Sequence, residues 1–162
     1  MYETVNNGHY LLPGNLFAHT EPYTVTTVLG SCVSVCLWDP AKRIGGINHF
    51  MLPFWNGEGL ASPKYGNIAI SKLIERMLDL GCEKRGLRAK IFGGGVMFKA
   101  TSALMNIGER NIILAQDMLS EEKIPVIASD VGGSNGRKII FQTGTGSVSM
   151  KRLARQIDDI KI

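Results

Sequence analysis

Two runs rich in β-branched and apolar residues, YTVTTVL over Tyr23–Leu29 and VSVCLW over 33–38, stand nearly back to back. Only Gly30, Ser31 and Cys32 separate them. Such runs have the composition of strands that are at least half buried, and Gly30 can take backbone dihedrals that other residues resist. The stretch reads as a buried β-hairpin, and any fold of this chain has to be organised around it. It also carries two of the three cysteines, Cys32 and Cys36, at positions where Val or Ile would pack as well. A buried free cysteine usually serves as a small hydrophobe.

Downstream, AKRIGG over 41–46 supplies turn chemistry before a third strand, INHFML over 47–52, which ends at Pro53. Residues 54–63 shift to Asn, Gly, Glu, Ser and Pro, a surface loop suited to a rim or lid. Ile70, Leu73, Ile74, Met77 and Leu78 recur at helical spacing, with Gly81 where a helix C-cap belongs. A short strand, AKIF, runs into Gly93-Gly94-Gly95, and a second helix carries Ile112, Ala115, Met118 and Leu119 on one face. IPVIASDV and RKIIFQT read as strands joined by GGSNG, which is hairpin turn material. The tail, KRLARQIDDIKI, sets Leu153, Ile157 and Ile160 at the spacing of a last helix. The first twenty or so residues are poorly patterned. Strands, helix, strand, helix and strands, without regular βαβα alternation, point to an α+β layered fold rather than a doubly wound parallel sheet.

A chain of 162 residues, 44% apolar and 20% charged, fills one sizeable core, so a single domain over 1–162 is expected. No signal-peptide pattern opens it and no window approaches a membrane span, which predicts a soluble, unexported, cytoplasmic protein. An odd cysteine count in a chain of this size fits free thiols in a reducing compartment. The net charge of +4 comes from local Lys and Arg groups without aromatic interleaving, which argues against nucleic acid and leaves a mild preference for acidic partners.

Three chemistries are open to the sulfurs. On one strand, Cys32 and Cys36 would stand about 13 Å apart, too far for a disulfide, which needs Cα atoms within roughly 7 Å. Cys32, Cys36 and His49 give C-x3-C-x12-H, but structural zinc wants four ligands and no fourth stands at a paired spacing. Nucleophilic catalysis fits better. Cys32 follows Gly30-Ser31, where a turn can present its side chain and leave backbone N–H groups, those of Ser31 and Cys32, free for an oxyanion. A thiol needs a base beside it. His49 lies on the strand expected to pair with the cysteine strand, whereas His9 and His19 fall in the unpatterned N-terminal segment. The triple glycine lacks the Gly-Lys-Ser/Thr of a P-loop and the spacing of a dinucleotide site, so close backbone packing is the better reading. TGTG over 143–146 reads as turn material.

Several separated motifs then carry a resemblance: LGSCVSVCLWD, GGINHFMLP with its histidine seventeen positions after Cys32, SPKYGNIAI, KIFGGGVMF, NIGERN and DVGGSNGRKIIF. Together they resemble the chemoreceptor glutamine deamidase family, CheD, from about Val25 to Thr143. The resemblance implies an amidohydrolase, a protein-glutamine glutaminase, that converts receptor glutamines to glutamate with release of ammonia. It implies a layered sandwich of mixed β-sheets flanked by helices, similar to the catalytic domain of cytotoxic necrotizing factor toxins, with a Cys-His-Thr triad. The matching positions are Cys32 as nucleophile, His49 as base and Thr26 as the group orienting the imidazole, with Thr27 the near alternative. The chemistry requires no metal or organic cofactor. Expected partners are the cytoplasmic domains of methyl-accepting chemotaxis receptors and, for some members, the CheC phosphatase; receptor methyl esters are a second substrate attributed to the family. Gly95 stands where many members have Ala. The competing reading is a non-catalytic adaptor for receptors or CheC.

Overall fold

The computed structural model describes residues 7–96 and 106–154. Nine strands and two α-helices follow in the order β1 (Asn7–Tyr10), β2 (Leu16–His19), β3 (Tyr23–Leu29), β4 (Val33–Asp39), β5 (Ile44–Asn48), α1 (Gly66–Asp79), β6 (Arg88–Gly93), α2 (Ile107–Glu121), β7 (Val126–Val131), β8 (Arg137–Gln142) and β9 (Val148–Arg152). They form two mixed sheets, a four-stranded one ordered β1-β3-β8-β9 and a five-stranded one ordered β2-β5-β4-β6-β7. The parallel pairs are β1 with β3 and β6 with β7. Both helices contact the five-stranded sheet. The expected α+β sandwich is what the chain adopts.

Two cores separate the layers. Val33, Val35 and Leu37 of β4 meet Ile70, Leu73 and Met77 of α1 and Ala115 and Leu119 of α2. On the other side Cys36, Ile47 and Phe92 meet Val25, Leu29, Ile139 and Phe141 of the four-stranded sheet. The helical spacing is realised as expected: Ile70, Leu73, Ile74 and Met77 are buried, and Gly81, with φ +106°, follows the end of α1. Leu78, expected on the same face, is 41% exposed.

The expected hairpin between 23–29 and 33–38 does not form. β3 pairs with β8 and β4 with β5 and β6, so Gly30-Ser31-Cys32 carries the chain from one sheet to the other. The reason is burial. Nearly every residue of β4 is buried, which requires cover on both faces. The five-stranded sheet, between helices and the second sheet, provides it. β3 alternates instead, with Val28 exposed. GGSNG likewise crosses between sheets rather than closing a hairpin, since β7 lies parallel to β6 and β8 lies beside β3. That crossing is tied by Arg137, whose buried guanidinium donates to Asp130 Oδ1 at 2.8 Å and to the Gly132 carbonyl at 2.7 Å.

Other boundaries shift for local reasons. β5 takes in Gly45 and Gly46, read as turn residues, and stops before His49. A Cβ at Gly45 would stand 2.6 Å from the Thr143 carbonyl oxygen, and one at Gly46 2.9 Å from Ala18 Cβ, so glycine is what lets the strand pack closely on both sides. Two short strands, β1 and β2, occupy the segment that showed no pattern; four residues each are too few for periodicity to register. Lys151 and Arg152, assigned to a final helix, belong to strand β9. Ile157 and Ile160 of that expected helix lie outside the described residues.

Candidate active site

Along β3, Val25, Thr27 and Leu29 are buried, Thr24 and Thr26 half-buried. Successive strand side chains point to opposite faces, so Thr27 enters the layer between the sheets and Thr26 faces away from it. There Thr27 Oγ1 stands 2.7 Å from His49 Nδ1 and 2.8 Å from the Leu11 carbonyl oxygen. A hydroxyl has one proton to give, and a carbonyl only accepts. With its proton committed to Leu11, Thr27 accepts from the ring. That fixes the imidazole proton on Nδ1 and leaves Nε2 with its lone pair free. Of the two threonines weighed from the sequence, Thr27 meets the imidazole and Thr26 does not.

His49 sits one residue beyond β5 and is 1% exposed. Its backbone is held on the side of β2, donating to the Asn15 carbonyl at 3.1 Å and accepting from the Gly14 N–H at 2.7 Å. Burial lowers its pKa to about 4, so the ring is neutral at pH 7.

Cys36 pairs with Ile47, and beyond the end of β5 Val33 and Phe50 exchange backbone hydrogen bonds of 3.1 and 3.0 Å. Both pairs lie in one register, which places Ser34 across from His49 and Cys32 two residues before Ser34, where the chain enters β4. Alternation puts Cys32 and Cys36 on the same face as Ser34, toward the second sheet. Cys32 is half-buried at the edge of that core and Cys36 fully buried within it. Burial raises the Cys32 thiol, offset in part by its own backbone N–H. Burial raises Cys36 further. Cys32 and His49 are therefore both uncharged at rest, and no hydrogen bond joins them.

The backbone around Cys32 is held from the opposite side. The Gly30 carbonyl accepts from Gly95 N at 2.9 Å, the Cys32 carbonyl from Gly94 N at 2.9 Å, and the Ser31 carbonyl from Asn111 Nδ2 at 3.1 Å. The N–H groups of Ser31 and Cys32, expected as oxyanion donors, have no acceptor among the described residues. Gly93 makes this approach possible. Its φ is +107°, and a Cβ there would stand 2.2 Å from the Cys32 carbonyl oxygen. The triple glycine is used for backbone contact, in line with its sequence.

The loop over 54–63 begins five residues past His49 and returns at Lys64, whose carbonyl accepts from Met51 N at 2.8 Å. His9 and His19 are elsewhere, stacked against Phe17 and packed on Tyr23. Among the described residues no three His, Cys, Asp or Glu side chains gather to hold a metal ion, and no helix is long and apolar enough to cross a membrane. Two contributors were missed. The Leu11 carbonyl has no side-chain signal to find. Asn111 had one: it is a polar residue on the same helical face as Ile112, Ala115 and Leu119.

Comparison with known proteins now adds to this geometry. The family described as CheD chemotactic sensory transduction matches residues 51–152. The chain belongs to the CheD family. It is 53% identical over 148 residues to a protein of Trichlorobacter lovleyi named a probable chemoreceptor glutamine deamidase CheD, covering 91% of this chain and 92% of that one. It is 50% identical to one of the same name from Sulfurimonas denitrificans, over 88% and 92% of the two chains. A third, from Rhodospirillum rubrum, is 41% identical over 91% and 84%. The CheD family match begins at Met51, after Cys32 and His49. A match over 91% of the chain, in contrast, spans both.

Proposed function

We propose that the chain is a cysteine-dependent amidohydrolase that deamidates glutamine side chains in the cytoplasmic domains of chemotaxis receptors. The names of its relatives support the substrate. The observation that carries the chemistry is the buried Thr27–His49 pair, whose hydrogen bonding leaves Nε2 free on the face that also bears the half-exposed Cys32 thiol.

In this reading His49 Nε2 takes the thiol proton as Sγ attacks the amide carbon, because neither group is charged beforehand. The Ser31 and Cys32 N–H groups stabilise the oxyanion. The tetrahedral intermediate collapses as the imidazolium protonates the amide nitrogen, releasing ammonia and leaving a γ-glutamyl thioester. Water then gives a proton to Nε2 and attacks the thioester; glutamate leaves and the thiol is restored. Thr27 contributes a neutral hydroxyl where a Ser-His-Asp triad has a carboxylate, so it sets tautomer and orientation and adds little charge stabilisation. No step calls for a metal or organic cofactor. An enzyme with this substrate works in the cytoplasm, where its three cysteines stay reduced.

The test is mass spectrometry of a receptor cytoplasmic fragment incubated with the protein. The mass change of amide to carboxylate at specific glutamines is expected with the wild type and not with Cys32→Ala. Conversion by the Cys32→Ala protein would overturn the assignment.

A further inference from the structure

We infer that Asn111 is a positioning residue for this reaction, acting through the peptide that joins Ser31 to Cys32. The inference rests on the function proposed above. Asn111 lies in the second turn of α2, fully buried, and its Nδ2 donates to two main-chain carbonyls, Ser31 at 3.1 Å and Met51 at 3.1 Å. One carbonyl immediately precedes the nucleophile and the other follows His49 by two residues. A single carboxamide thus ties the cysteine turn to the histidine segment.

The first of these bonds sets the direction of an oxyanion donor. In a planar trans peptide the C=O and the following N–H point in opposite directions. Asn111 draws the Ser31 carbonyl toward the helix layer, and that turns the Cys32 N–H the other way, toward the side of its own thiol. One observation agrees: the Cys32 N–H has no acceptor among the described residues. The flanking carbonyls of Gly30 and Cys32 are held by backbone N–H groups of Gly95 and Gly94, so the middle one alone depends on a side chain.

Asn111 also bears a cost that packing does not explain. Among the described residues its buried Oδ1 has no partner, an arrangement that leaves a desolvated acceptor uncompensated. A leucine would fill the same space without an orphaned oxygen. The asparagine is accounted for by its two donated protons, and these are spent on the two segments that carry Cys32 and His49.

Oxyanion stabilisation acts in the transition state and not in the ground state, so its loss lowers kcat and leaves KM in place. Alkylation of the thiol by iodoacetamide is displacement at a saturated carbon and forms no oxyanion. In folded Asn111→Leu, kcat for deamidation of the receptor fragment is expected to fall by roughly tenfold to a hundredfold, below the loss from deleting an oxyanion donor outright. KM stays within about twofold of wild type, since it does not report on that donor, and the rate of Cys32 alkylation changes far less than kcat, since burial and not the N–H is the larger influence on the thiol. Asn111→Ser keeps one donor and room for a bridging water, and carries the same test should the leucine variant not fold; its kcat is expected to lie between the other two. Wild-type kcat in a folded variant would overturn the inference. So would a parallel fall in alkylation, which would assign Asn111 to placing the thiol itself. Wild-type protein and Cys32→Ala, run alongside, separate failure of this inference from failure of the deamidase reading, which would show as no conversion by wild type.

Discussion

Thr27, on β3 of the four-stranded sheet, and His49, one residue past β5 of the five-stranded sheet, meet at 2.7 Å in the layer between the sheets. The Leu11 carbonyl, at 2.8 Å from the same hydroxyl, decides the direction of that bond and so the tautomer of the ring.

Replacing Thr27 by Val frees the ring to rotate and to move its proton to Nε2. We expect kcat to fall roughly tenfold to a hundredfold, part of what a positioned general base contributes. Thr27→Ser restores most of the rate. Thr26→Val, on the outer face, keeps kcat near wild type. Steady-state deamidation of a receptor fragment checks all three, and a loss confined to Thr26→Val would reverse the assignment. Thr27→Val also leaves the Leu11 carbonyl and the Nδ1–H unpaired in the core, at about 1–3 kcal/mol of stability.

The pH dependence follows from His49. Its pKa is near 6.5 when unfolded and about 4 when buried. Between those values the unfolded chain binds a proton that the folded chain refuses. Stability from this source is complete above pH 6.5 and is lost as pH falls toward 4, by up to about 3 kcal/mol. Urea midpoints measured from pH 7 to 4 should show that slope, and His49→Gln should flatten it. For the enzyme, kcat/KM on folded protein should keep its value through pH 6 and decline only near pH 4, where the base becomes protonated.

Thiol labelling should be ordered by exposure, because all three thiols are raised by burial. Cys32 is half-buried, whereas Cys36 and Cys82 are buried. Iodoacetamide near neutral pH should modify Cys32 well before the others in peptide mapping, with a rate that keeps climbing above pH 8. Equal labelling of the three would count against the described site.

Gly93→Ala tests the backbone cradle. The residue combines a φ of +107° with a Cβ position 2.2 Å from the Cys32 carbonyl oxygen. Alanine is expected to cost well over about 1 kcal/mol and to displace the cysteine turn, so that specific activity drops even below the melting transition. A Gly132→Ala control, at φ +80° with no atom within 4 Å of the added Cβ, should show strain without the activity loss.

How far the sequence disclosed this site can be traced residue by residue. The Gly-Ser junction singled out Cys32, and adjacency of the strands singled out His49, because both signals are local. Parity along YTVTTVL could also have chosen between the threonines: Val25 and Leu29 mark the buried face, and Thr27 shares it. What stayed hidden depends on partners far along the chain. Nothing within residues 23–38 states that β3 seeks β8 rather than β4; two-sided burial of β4 decides it, and that is a property of the assembled layers. The short N-terminal strands escaped for want of length, and the Leu11 carbonyl because a backbone acceptor leaves no mark in residue type.

The crossing of the chain between sheets at Gly30-Ser31-Cys32 has a consequence for biosynthesis. Cys32, His49 and Thr27 leave the ribosome early, but β3 gains its antiparallel neighbour only when Arg137–Gln142 has been made. Until then Thr27 has no fixed position against the imidazole. A nascent or truncated chain ending before β8 carries Thr27, Cys32 and His49 but lacks the strand that holds the threonine against the imidazole, so the proposed thiol chemistry waits on the making of β8.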